Sequence, residues 1–167
     1  MIRDQWRDIR PDLDTTVIDI VGRLLRAATL IVHNSDALLV QHGLNRGEFD
    51  FLATLRRAGE PQTPSELTMV SLASAPATTK RIRSLADRGL VRRTLNPADG
   101  RGALIALTRS GTSLIDRVFP EMLNTEREVL AQIPRDVQPE VAIALRQVVA
   151  SVERASSRRT VERTMRE

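Results

Sequence analysis

Apolar residues return at helical spacing along most of this chain, and the places where the spacing stops divide it into elements. Val17, Val21, Leu24, Ala28, Ile31 and Leu38 mark a helix over 14–41, with Asp12 or Asp14 as its cap and Gly43 as its stop. At ~1.5 Å per residue it spans about 40 Å, longer than a small core needs. Ile20, Leu25, Leu30, Val32 and Leu39 widen its apolar face, as in a helix with more than one neighbour. A short extra helix over 5–10, carrying Trp6, precedes it. Asn45-Arg46-Gly47-Glu48 is a capping box that opens a second long helix, with Phe51, Leu52 and Leu55 on its core face and Gly59 at its end. Thr63-Pro64-Ser65-Glu66 opens a third in the same way, with Leu67, Val70 and Leu72 as its apolar set. A break at Ala73-Ser74 leads into a fourth helix over 75–88, capped by Ser74 and stopped by Gly89.

The period then changes. Segments 90–95 and 103–107 read as strands, and Asn96-Pro97-Ala98-Asp99-Gly100 between them makes a hairpin turn. Thr108 caps a helical stretch over 109–133, in which Pro120 should kink or break the helix. Pro134-Arg135-Asp136 separates a last helix over 137–155, and 156–167 reads as a frayed, arginine-rich polar tail.

With 167 residues, 41% hydrophobic and 28% charged, the chain suits one globular domain with extensions. It has no apolar run of about 18 residues, and its first residues carry acids without an apolar segment, so neither a membrane span nor a signal peptide is expected. There is no cysteine, which removes disulfides, thiol nucleophiles and thiolate metal sites and fits a cytoplasmic protein. The pI of about 11.0 overstates the basic character. Lys80 is the single lysine and tyrosine is absent, so almost nothing loses a proton between neutrality and the arginine range. Position tells more. Residues 1–59 hold 8 arginines and 8 acids, 60–101 hold 7 basic residues and 4 acids, and 102–167 hold 10 arginines and 9 acids. The excess falls on the segment with the fourth helix and the hairpin, the place to look for a nucleic-acid footprint.

Helix, short helix, break, helix, hairpin is the order of a winged helix-turn-helix. On the fourth helix Thr78, Ile82 and Leu85 share an inward face, and Pro76, Thr79, Lys80 and Arg83 share a polar and basic one. In this motif the second face enters a major groove. Lys80 and Arg83 can reach guanine edges or phosphates, and Ser65 and Ser74, at the starts of the third and fourth helices, complete the DNA-facing set. At the hairpin tip Arg101 can enter a minor groove, with Asp99 holding its guanidinium. A solvated face and a merely soluble turn are the alternatives.

Residues 44–111 resemble the MarR family, the multiple-antibiotic-resistance type of transcriptional regulator. The resemblance is carried by LNRGEFDFLATLRRAG, PSELTMVSLASAPATTKRIRSLADRGLVRRTLNPADGRG and ALIALTRSG, including an Asp-x-Arg wing followed by Leu-Thr-x-x-Gly. It implies a mainly α fold with one small β-hairpin over 1–167. Segment 44–111 would be the DNA-binding lobe, and 1–43 and 112–155 the dimerisation helices. It also implies a homodimer on a palindromic DNA operator, with a small-molecule effector site between the lobe and the dimerisation helices. The segment QWRDIRPDLDTTVIDIVGRLLR is similar to the start of the family's urate-responsive branch. That branch places a tryptophan, an aspartate and two arginines at positions matching Trp6, Asp50, Arg81 and Arg93, and it carries an asparagine where this chain has Lys80.

The residues support such a site on their own chemistry. Arg81 points to the half-buried side of the fourth helix and needs a partner, either Asp50 or an anion. Trp6 offers a flat stacking surface. Arg93, on the first wing strand and away from the groove face, would hold the negative charge of a planar aromatic anion, urate-like or a phenolic carboxylate. The alternative is a structural ion network with no effector, in an architectural DNA-binding dimer. His33 and His42 fall on opposite sides of one helix, so neither a metal pair nor a catalytic pair is expected. No cofactor, no catalytic constellation and no membrane partner are expected either.

Overall fold

The computed structural model describes residues 2–71, 73–97 and 102–164. Along the chain run α1 (Ile2–Ile9), α2 (Val17–Gln41), α3 (Arg46–Ala58), α4 (Pro64–Ser71), α5 (Ala75–Asp87), β1 (Val91–Leu95), β2 (Ala103–Leu107), α6 (Arg109–Leu130) and α7 (Gln138–Thr164). The chain falls into two compact units, Met1–Arg127 and Glu128–Glu167. The fold is mainly α with one antiparallel hairpin, as the sequence predicts.

The core lies in the first unit. Phe51 and Leu52 of α3, Leu67 of α4, Leu85 of α5, Ile105 of β2 and Ile115, Val118 and Met122 of α6 are fully buried together with Leu39 near the end of α2. Burying each such side chain is worth about 1.5–3 kcal/mol. The caps that the sequence announces direct these helices. Asn45 and Glu48 exchange both bonds of the capping box. Thr63 and Glu66 do the same at α4, the Glu66 carboxylate accepting from the Thr63 amide at 2.7 Å. Thr108 accepts from the Gly111 amide at 3.1 Å to open α6 and donates to the Gly89 carbonyl at 2.7 Å.

In the hairpin Val91 faces Leu107 and Leu95 faces Ala103. A third chain segment joins it: Gln62 and Ile105 exchange two backbone hydrogen bonds of 2.9 and 2.8 Å. The turn residues 98–101, and Leu72 of the expected α4 face, lie outside the described residues.

Four expectations need correction. Helix α2 begins at Val17 rather than 14, and neither aspartate caps it. Asp14 accepts from the Thr16 amide and hydroxyl, a local turn that competes with helix, and Asp12 is held by Arg10. Val70 is exposed, because α4 is too short to turn two faces inward, and Leu67 is its buried anchor. Helix α6 runs through Pro120 unbroken. The missing amide is a cost, but Ile115 and Val118 on one side and Met122 on the other are buried and hold both turns. Helix α7 continues past 155 to Thr164, since no glycine or proline stands in that stretch to end it.

Candidate nucleic-acid interface

Helices α4 and α5 form the helix-turn-helix pair. The hydroxyls of Thr68 and Thr78 lie 2.9 Å apart and are hydrogen-bonded across the pair, with Thr78 fully buried. This polar pin, together with buried Ile82 and Leu85, fixes the inward face of α5. At its start the Ser74 hydroxyl accepts from the Ala77 amide and Pro76 occupies the first turn. Its end is tied to α3 through a buried carboxylate. Glu48 accepts from Ser84 at 2.8 Å and from Arg88 at 3.2 Å, while Arg88 also donates to the Gly43 carbonyl at 2.7 Å. The helix is therefore held at both ends.

Pro76, Thr79, Lys80 and Arg83 are exposed on the opposite face, and Ser65 and Ser74 are exposed at the two helix starts. The Arg83 side chain is 85% accessible, with Asp87 4.0 Å away. A row of exposed hydroxyls and cations, with only the long Arg83–Asp87 contact drawing on it, suits a polyanionic surface. Asp99 and Arg101, the expected wing contacts, lie outside the described residues.

Arg93 stands elsewhere than expected. Its partner across the hairpin is Ile105, so its side chain starts from the face of the sheet that looks toward α5. There it lines a cavity of about 420 Å³ together with Thr79, Arg83 and Asp87. It is a neighbour of the groove-facing side chains, not remote from them.

The other three expected effector residues are arranged as follows. Trp6, on α1, is 47% exposed, and α1 is joined to α2 by the Arg3–Asp19 ion pair. Asp50 does not take Arg81. Its carboxylate is held by Arg46, one turn earlier on the same helix, at 3.0 Å. Arg81 is half-buried and, among the described residues, has neither a hydrogen bond nor an ion pair. Its guanidinium lies flat on Gly47: a Cβ added there would stand 2.5 Å from both Cζ and Nε of Arg81. The structure thus brings Arg81 to the first turn of α3, close along the helix to Asp50, and leaves Arg93 on the far side of α5. Arg46 was not singled out in the sequence, although its four-residue spacing from Asp50 is the signal for the pair. His42, expected only to favour the end of α2, caps it and also contacts Glu121 of α6 at 2.9 Å.

No group of His, Cys, Asp or Glu among the described residues can hold a metal ion, and no helix there is long and apolar enough to cross a membrane.

A helix-turn-helix pair with an exposed basic face beside a two-stranded wing defines a winged-helix DNA-binding protein. Comparison with known proteins gives the family. A MarR family model matches residues 42–102. The HTH-type transcriptional regulator PecS of Dickeya dadantii is 37% identical over 132 residues, covering 78% of this chain and 80% of that protein. Among solved structures, a mutant MarR from E. coli complexed with operator DNA has a TM-score of 0.70 at 23% identity, over 86% of this chain and 96% of that one. Bordetella bronchiseptica BpsR, solved to explain regulation of its DNA binding by 6-hydroxynicotinic acid, has a TM-score of 0.70 at 22% identity, over 77% and 98%. The chain belongs to the MarR family. It is a DNA-binding transcriptional regulator and not an enzyme.

Proposed function

We propose that this regulator is a homodimeric repressor that binds a pseudo-palindromic operator through α5 and is released from it by a small planar aromatic anion. The observation that carries the effector reading is Arg81. A half-buried guanidinium with no carboxylate on it among the described residues is open to an anion, which meets no competing ion pair there. Because Arg81 belongs to α5, an anion held by its guanidinium acts directly on the reading helix. Trp6 supplies an aromatic face for the ligand. The 6-hydroxynicotinic acid of BpsR is of the same chemical class, planar, aromatic and acidic.

The homodimer rests on exposed apolar surface. Val17, Ile20, Val21 and Leu25 on α2, and Ile143, Val149 and Val152 on α7, are exposed in the single chain. Exposed apolar surface of this extent marks association sites.

Operator-bound protein, followed by fluorescence anisotropy and titrated with urate and 6-hydroxynicotinate, tests the reading. Release with a coupling of roughly 5–150-fold is expected, and operator DNA must weaken ligand binding by the same factor. If neither anion releases the operator, the protein is an effector-independent DNA-binding dimer.

A further inference from the structure

We infer that Arg46 and Gly47, the first two residues of α3, set the state of the anion site: Arg46 occupies the Asp50 carboxylate and Gly47 seats the Arg81 guanidinium, so that Arg81 stays free to take an anion. The inference rests on the reading of Arg81 as the cation that meets the effector. It assigns positioning roles to two residues that themselves need not touch the ligand.

The geometry around Arg46 supports its part. Its Nε donates to Asp50 at 3.0 Å. Its Nη1 is buried without a hydrogen bond and lies 4.0 Å from the Glu126 carboxylate. Its Cζ stands 5.7 Å from the centre of the Phe49 ring, which is itself stacked on Phe119 at 6.2 Å. The Arg46 side chain is therefore confined between a carboxylate on its own helix, a carboxylate on α6 and an aromatic face. Such confinement lowers the entropy cost of keeping Asp50 engaged. Asp50 lies three residues from Gly47, on the same side of α3. Without Arg46, its carboxylate would be left one helical turn from an unpaired guanidinium, and the two would close on each other. The anion would then have to displace an ion pair instead of filling a vacant cation.

Gly47 supports the second part. Any side chain there places Cβ inside contact distance of the Arg81 guanidinium. The obstructed atoms are the end of a flexible side chain, so an alanine is accommodated by moving the guanidinium off its seat and not by unfolding α3. Alanine also has the higher helix propensity. The change therefore separates the seat from the fold.

The test is calorimetric binding of urate and of 6-hydroxynicotinate to the full chain and three variants, with thermal melting in parallel. Arg46→Gln is expected to weaken binding about tenfold, inside the range typical of such couplings. Adding Asp50→Asn to it removes the carboxylate that would capture Arg81 and is expected to restore binding. Gly47→Ala is expected to weaken binding without lowering the melting midpoint. Unchanged binding by Arg46→Gln, or a double variant as weak as the single one, overturns the role of Arg46. Unchanged binding by Gly47→Ala overturns the seat. A wild-type protein that binds neither probe overturns the effector reading itself and this inference with it.

Discussion

Two glycines on helices show how the identity of the neighbour decides a substitution. At Gly47 the obstructing group is a mobile guanidinium, but at Gly111 an added Cβ would collide with the backbone carbonyl oxygen of Leu90 and stand 3.0 Å from its carbon. Gly111→Ala gains about 0.5–1 kcal/mol in helix propensity, and a clash in a packed core costs about 1–3 kcal/mol. The clash wins, and urea denaturation should show a net loss of stability. The cations of the reading face form a second contrast. Arg83→Ala should weaken operator binding by ~1–3 kcal/mol if the contact is to a base, or lower the salt slope by about one if it is to phosphate. Arg93→Ala should also weaken operator binding, because Arg93 shares a cavity with Thr79 and Arg83. Operator affinity measured across a salt series checks both; an Arg93 variant with wild-type affinity and slope would separate that residue from the DNA-facing group.

Between elements, single polar links carry much of the orientation. Thr78→Val removes one side of the hydrogen bond that joins α4 to α5 and should cost about 1 kcal/mol in equilibrium unfolding. The Arg56–Asp116 pair, 2.7 Å from Nε to the carboxylate, joins α3 to α6. The hydrogen bond from Arg56 holds the Asp116 carboxyl below its ordinary value. A lowered carboxyl contributes stability above the ordinary carboxylate range, and that contribution is lost as pH falls through the lowered value. Wild type should therefore lose stability below about pH 4, and Asp116→Asn should show a shallower acid limb in the melting midpoint. Elements set by local chemistry were legible in the sequence: the boxes at Asn45 and Thr63, the caps at Ser74 and Thr108, and the two faces of α5 follow from spacing alone. The surroundings of Arg81, Asp50 and Arg93 were not. A neighbour four residues away took Asp50 before any distant arginine could, and the position of Arg93 depends on a cross-strand pairing with Ile105. The path of α6 through Pro120 depended likewise on burial on both sides of the proline.

At the scale of the whole molecule, the exposed apolar faces of α2 and α7 lead to a measurable mass. Sedimentation at micromolar concentration should give a dimer, and the operator half-sites should be centred about one helical turn, ~10 bp, apart; a monomeric mass would remove the dimer. The exposed position of Lys80 on α5 has a separate consequence, because it is the single lysine in the chain. A protease that cuts after lysine has one bond to attack, in the middle of the reading helix. Helical backbone must open before it fits a protease cleft, so the cutting rate measures the opening of α5, by local or by global unfolding. Operator DNA seated on that helix should slow the cut, and an anion that releases the operator should restore it, making the intact-chain fraction on a gel a direct clock of how often the reading helix lets go.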